Sequence, residues 1–163
     1  MRLGAAPCID FGMAARTMAF DIKSKKWNTH LLSLCSIPEQ KLPRAVSAGT
    51  VIGKVSASVS ALTGLSTDTI IASGAHDQSC CALGAGVINS GIAMDSLGTT
   101  ESLLCVHDEA DDLRELISNN LSTYPYILPG KQATLAFLSC CGSVVDWFSS
   151  SLLAGSGTPS QLD

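Results

Sequence analysis

Between Ile70 and Glu101 the chain reads IIASGAHDQSCCALGAGVINSGIAMDSLGTTE, and the residues able to do chemistry concentrate there. A β-branched apolar run (Ile70, Ile71) ends at Ser73, Gly74 and Ala75, and His76, Asp77 and Gln78 follow where a strand should stop. The small residues from Cys80 to Gly86 predict a short helix packed closely on a sheet, with Asp77 at its N-terminus. There the positive end of the helix dipole favours a carboxylate able to accept a proton. The residues alone leave two roles open for Asp77, a general base and a plain helix cap. Gln78 can donate to and accept from hydroxyl groups, or be a surface amide, and His76 can tune Asp77, line a pocket or be a structural histidine. Ile92–Leu97 and Ser102–Val106 predict two strands of a hairpin around Gly98, Thr99 and Thr100, a turn whose backbone and hydroxyl could meet a phosphate.

Composition narrows the possibilities. The chain has 163 residues, 15% charged and 46% apolar, with a net charge of −4. So little charge on ordinary apolar content predicts surface that expects cover from further chain or a second copy. The acidic balance argues against a nucleic-acid partner. No uninterrupted apolar run is long enough for a membrane span, and the first residues do not read as a signal peptide. Seven cysteines, including the adjacent pairs Cys80-Cys81 and Cys140-Cys141, read as reduced, buried thiols of a cytoplasmic protein, and no metal site is expected.

The remaining segments supply elements to position these groups. Ile9–Ile22 has no clean period and reads as loop until a short strand at Thr17–Phe20, and Lys23–Lys26 as a polar turn. Trp27 reads as a core anchor. Asn28 should cap a helix over Thr29–Cys35 with Leu31, Leu32 and Cys35 inward, ended by Pro38. Val51–Val55 is a strand broken by Gly53, and Ser56 should cap a helix that buries Val59 and Leu62 and stops at Gly64. Asp108–Asp112 should lead into an amphipathic helix carrying Leu113, Leu116, Ile117 and Leu121. Tyr124–Gly130 reads as a proline-punctuated loop, Thr134–Leu138 as a buried strand, Ser143–Leu153 as a helix with Gly142 at the turn before it, and Gly155–Asp163 as a linker. Strand, helix and strand in this order predict a mixed α/β fold.

The segment GAHDQ, followed by ALGAGV and LGTTE, resembles the domain junction of the FGGY family of carbohydrate kinases. The resemblance extends upstream through Asp10, Ala14-Ala15-Arg16-Thr17, Phe20-Asp21-Ile22, Trp27, Val51–Val55 and Leu62–Leu65, and downstream to Gly142–Trp147, covering residues 9–150. It implies an α/β chain that is part of an actin-like ATPase (ribonuclease H-like) two-domain fold, with mixed sheets and flanking helices. Residues 1–88 would be the C-terminal part of the N-terminal, sugar-binding domain, and residues 89–163 the start of the nucleotide-binding domain. The implied activity transfers the γ-phosphate of ATP, with Mg²⁺, to a sugar or polyol hydroxyl. Asp77 would be the general base, and Asp77, Gln78 and His76 would bind substrate. Gly98, Thr99, Gly142 and Asp146 would border the nucleotide, and Arg16 would lie toward the sugar side of the cleft or serve in a structural salt bridge. His76 stands where the family usually has a small residue, and Asp146 where it has a neutral amide. The family's N-terminal phosphate loop, its upstream sugar-contacting residues and its late glycine-rich adenosine motif have no counterpart here. The expectation is a fragment inactive by itself. Two alternatives stand beside it, a non-catalytic binding or regulatory module and a cysteine-based metal module.

Overall fold

The computed structural model describes residues 2–110 and 112–152; Asp111, Leu153 and the linker-like tail lie outside the described residues. Asp10 organises the start. Its carboxylate accepts from the Met13 N–H at 3.2 Å, so strand β1 (Cys8–Asp10) turns directly into helix α1 (Phe11–Ala15). This stretch read as loop because elements of three and five residues are too short to show a period. The first of the next strands is also displaced, with β2 (Phe20–Asp21) pairing antiparallel with β3 (Lys26–Trp27) around a turn that Asp21 closes on the Lys23 and Ser24 N–H groups. Trp27 meets Phe20 edge-on at 5.5 Å and donates its indole N–H to the Pro43 carbonyl at 3.0 Å, in keeping with an anchor. Asn28 caps α2 (Thr29–Leu34) as expected, but only Leu32 is buried; Leu31 and Cys35 are exposed, since a helix of under two turns offers one inward position.

Strand β4 (Arg44–Val46) runs parallel to β1, whereas β5 (Val51–Lys54) pairs antiparallel with β6 (Ile70–Ala72), so both strand directions occur. Between β5 and β6, Ser56 caps α3 (Ala57–Thr63) through the Val59 N–H at 3.4 Å, and Gly64 ends it. Val59 is half-buried, but Leu62 is 86% exposed, against expectation, because α3 has no sheet face beneath that side.

After β6 the chain enters α4 (Asp77–Gly84) and then a four-stranded antiparallel sheet of β7 (Ala93–Leu97), β8 (Glu101–Asp108), β9 (Ser122–Pro125) and β10 (Lys131–Leu138), in the order β7-β8-β10-β9. The buried cluster here joins Leu104, Val106, Tyr124, Tyr126 and Ala133 of the sheet region to Ala82 of α4 and to Val87. Tyr126 donates its hydroxyl to the Val87 carbonyl at 3.0 Å, fastening the end of α4 to the sheet. Strand β8 runs on to Asp108, which pairs with Lys131 at 2.6 Å, so that acid belongs to the strand and not to a helix start. The helix beyond it, α5 (Arg114–Ser118), is only five residues long and leaves Ile117 exposed. Part of the expected loop Tyr124–Gly130 is strand: Pro125 is tolerated because β9 is the edge of the sheet. Helix α6 (Gly142–Ser151) includes Gly142 as its first residue.

At the far end of the sheet Leu103, Phe137 and Leu138 are exposed around a shallow apolar recess, and Trp147 of α6 and Leu152 just after it are exposed too. No helix among the described residues is long and apolar enough to cross a membrane.

The Tyr126 hydrogen bond gives a direct check of the fastening. Tyr126→Phe leaves the Val87 carbonyl buried without its partner and is expected to cost about 1–3 kcal/mol. Chemical denaturation of the two chains measures it.

Candidate active site

His76 is the residue that flanks α4, with extended backbone (φ −58°, ψ 135°) and no side-chain capping bond, and Asp77 is the first helical residue. A capping Asp would accept from an amide two or three residues on. Asp77 does not. Its Oδ1 accepts from the adjacent Gln78 N–H at 2.8 Å and lies 3.4 Å from His76 Nε2. Both contacts fall on one oxygen, leaving Oδ2 of a side chain that is 86% exposed directed to neither. His76 itself is largely covered, and its ring meets Tyr124 edge-on, centroids 5.8 Å apart.

Tyr124 and Ser79 are each 2% exposed, and four buried polar atoms around the start of α4 lack a hydrogen-bond partner: His76 Nδ1, Gln78 Oε1, Ser79 Oγ and Tyr124 OH. The two hydroxyls are close enough for Ser79 to favour Tyr124 ionisation, yet burial prevails and holds the phenol above its ordinary value. Burial likewise pushes the His76 imidazole below its ordinary value, helped by the charge of Arg16, while Asp77 and Asp10 push it back up. Arg16, Asp10, His76 and Asp77 therefore share one electrostatic neighbourhood. Gly12 explains how α1 comes so near: a Cβ there would lie 2.9 Å from Asp10 Oδ2 and 3.2 Å from the Pro125 carbonyl, so only glycine lets α1 meet β9.

The second group forms at the β7–β8 turn. Gly98 N–H donates to the Thr100 carbonyl at 3.0 Å, and the turn's own carbonyls receive the start of α6, with Gly142 N–H on Gly98 at 2.9 Å and Cys141 N–H on Thr99 at 3.1 Å. The close approach sits at Gly142, whose Cβ would lie 3.1 Å from the Gly98 oxygen; at Gly98 an added Cβ meets nothing nearer than 3.6 Å. Thr99 is exposed at the tip, and Asp146, one turn into α6, is exposed as well.

The structure thus gathers His76, Asp77 and Gln78 at one point, and Gly98, Thr99 and Gly142 at another. No hydrogen bond or ion pair joins the two groups among the described residues. What connects them is the sheet: α4 packs on it and the turn belongs to it. Sequence reasoning missed Tyr124, Ser79 and the cap at Asp10. The signal for Tyr124 was the Y-P-Y pattern, in which proline argued against a strand. All seven cysteines are free, and no three His, Cys, Asp or Glu side chains converge as metal ligands among the described residues.

The His76 shift has a consequence for stability. Its folded pKa lies below the unfolded value of about 6.5, so the unfolded chain binds the extra proton. This contribution is fully present above that value and is lost as pH falls through the folded pKa. Thermal melts between pH 5 and 7.5 should show stability rising with pH, and His76→Gln should flatten that part of the rise.

Comparison with known proteins agrees with this architecture. Residues 1–84 match the FGGY family of carbohydrate kinases, N-terminal domain. A glycerol kinase of Streptococcus uberis is 30% identical over 146 residues, which are 88% of this chain and 28% of that protein. A xylulose kinase of Lactococcus lactis is 23% identical over 85% of this chain and 27% of its own length. Among solved structures, the xylulose kinase from Rhodospirillum rubrum superposes with a TM-score of 0.83 at 27% identity, over 96% of this chain and 31% of that one. The chain thus spans less than a third of the length of these relatives, and its fold is a portion of their actin-like ATPase fold. On the match over more than half its residues, the chain belongs to the FGGY family of carbohydrate kinases.

Proposed function

We propose that this chain is the part of an ATP-dependent carbohydrate kinase that carries the general base and one wall of the nucleotide site. The observation that supports it most is Asp77, exposed at the first residue of α4, with both of its intramolecular contacts on Oδ1. Oδ2 then takes the proton of a sugar or polyol hydroxyl as that oxygen attacks the γ-phosphorus and the bond to the ADP oxygen breaks. Gln78 and His76 flank the acceptor, and Arg16 lies near His76.

Thr99 contributes an exposed hydroxyl toward the ATP phosphates. Its turn is braced from behind by the Cys141 and Gly142 N–H groups, so those amides position the turn and are not themselves phosphate donors. Gly142 and Asp146 border the nucleotide from α6. Mg²⁺, held with the ATP phosphates, would neutralise charge on the transferring phosphoryl.

In this reading residues 1–88, α4 and its base included, belong to the sugar side and 89–163 to the nucleotide side. The exposed apolar recess at Leu103, Phe137 and Leu138 is covered by the remainder of a longer kinase chain or by a second copy. The setting is the cytoplasm, where ATP and reduced thiols are found together.

Two variants of the full-length kinase form the test. Asp77→Asn should lower turnover by roughly 10²- to 10⁴-fold with little change in substrate affinity, as expected for a lost general base. Thr99→Val should raise KM for ATP more than KM for the acceptor. A coupled ADP-release assay reads both; near-normal turnover in the Asn variant would remove Asp77 from the chemistry, and a change confined to the acceptor KM would remove Thr99 from the phosphate site.

A further inference from the structure

The basic residues of this acidic chain are unevenly placed. Of its ten Lys and Arg residues, five fall between Lys23 and Arg44, a stretch that holds one acid, Glu39. The fold draws that stretch around a groove of about 460 Å³, the size of a site for a small organic ligand. Trp27, Leu42 and Pro43, each half-buried, make its apolar side. Trp27 is fixed there by Phe20, edge-on at 5.5 Å, and by its indole N–H on the Pro43 carbonyl at 3.0 Å. Lys26 of β3, Arg44 of β4 and Thr29, the first residue of α2, also line the groove and give it a polar side.

The charges around the groove do not cancel. Lys25, which lines it too, is held by Glu109 at 2.7 Å. Lys26 and Arg44 are exposed, and neither makes an ion pair or a side-chain hydrogen bond among the described residues. Asp21, opposite Lys26 in the β2–β3 hairpin, directs its carboxylate to the Lys23 and Ser24 N–H groups and the Ser24 hydroxyl. Glu39 is the one acid of the lining, so cations outnumber it even with Lys25 set aside.

We propose that this groove binds an organic phosphate, a phosphate monoester carried on a flat apolar body. At neutral pH such a group bears a charge of about −1.5 to −2, which matches two cations. Lys26 meets it as a point charge and Arg44 through paired N–H donors, while the body lies against Trp27, Leu42 and Pro43. Each half needs the other. Exposed charges alone are screened and bind weakly, and an apolar strip alone does not select a phosphate. No lining residue belongs to the His76–Gln78 group or to the Gly98, Thr99 and Gly142 group, so the site is separate from the one assigned to phosphoryl transfer. A phosphate ester bound there acts as an effector and not as a reactant, and its binding does not depend on Asp77 being the base.

The test is an NMR titration of the 163-residue chain with phenyl phosphate, above the second phosphate pKa of about 6, following the Trp27 indole N–H. The chain has two tryptophans, and Trp147→Phe identifies the Trp27 signal. A saturable shift of that signal is expected at concentrations where phenol, the body alone, and inorganic phosphate, the charge alone, give little. Combining Lys26→Ala with Arg44→Ala should weaken binding about ten-fold, as for the loss of two exposed charge contacts. If the double variant does not fold, added KCl on the unaltered chain gives the same reading, because screening weakens contacts to exposed charges. The proposal is overturned by the absence of a saturable shift at Trp27, by phenol or inorganic phosphate binding as tightly as phenyl phosphate, or by an affinity that a folded double variant or added KCl leaves unchanged. Tighter binding of a hexaglutamate peptide would also overturn it, making the groove a surface for an acidic protein segment. None of these readings involves kinase turnover, so they fail separately from the Asp77 assignment.

Discussion

Ala82 has no exposed surface and lies between α4 and the four-stranded sheet, so any larger side chain there would lift the helix that begins with Asp77. The packing is close because the residues α4 buries, Ser79 and Ala82, are small, and it is fastened at the far end by Tyr126 reaching the Val87 carbonyl. Tightly packed interfaces of this kind have little room to slide. The direction in which the Asp77 carboxylate leaves the protein is therefore set by contacts four or more residues into the helix, on a surface built from a later part of the chain. That dependence links the two candidate groups. The same β8 strand that receives α4 begins at the turn carrying Gly98 and Thr99.

Around this frame the structure spends its hydrogen bonds unevenly. At the Gly98–Thr100 turn the Gly98 N–H and the carbonyls of Gly98, Thr99 and Thr100 are all paired, and Gly142 is required because the helix start approaches the turn to contact distance. Around the start of α4 the opposite holds, with buried polar atoms of His76, Gln78 and Ser79 unpaired along with the Tyr124 hydroxyl. Buried polar groups are normally satisfied, and clusters of exceptions point to ligand chemistry or to strain held for function. The contrast divides the labour between the groups: a rigid turn to present a hydroxyl, and an under-satisfied pocket beside a carboxylate. Electrostatics separate as well, since Arg16, Asp10, His76 and Asp77 influence one another while Asp108 is held down by its own partners, Lys131 and Ser90.

The parts of the fold that could be read directly were those coded by local chemistry. Asn28, Ser56 and Gly64 announce helix ends through single side chains or a single backbone conformation, and the chain obeys them. The β7–β8 hairpin declares itself through a Gly-Thr break between apolar runs. Burial was harder. Leu62 and Ile117 look inward by periodicity but face out, because α3 and α5 have no sheet against them on those sides. Tyr124 went unnoticed for the converse reason: its partners, His76, Ser79 and Gly12, lie 45 or more positions away in sequence, and the neighbouring proline disguised an edge strand as loop. Likewise, the motifs located Asp77, Gly98, Thr99 and Gly142 as positions, whereas the choice of Oδ1 as the anchored oxygen is a property of three-dimensional contacts alone.

If α4 owes its place to the sheet, the two must open together. Native-state hydrogen exchange on the intact chain measures this most directly, through the α4 amides of Cys80 and Ala85, bonded to His76 and Cys81, and the sheet amides of Leu104 and Ala133. Elements that belong to one cooperative unit exchange with a common free energy and respond alike to low denaturant. The expected result is that Cys80 and Ala85 merge with Leu104 and Ala133, while the amides of the two-stranded β5–β6 ladder exchange earlier. Exchange of the α4 amides with the β5–β6 ladder, well before the sheet opens, would contradict the account, because the base would then be held by a helix that moves independently of the surface said to aim it.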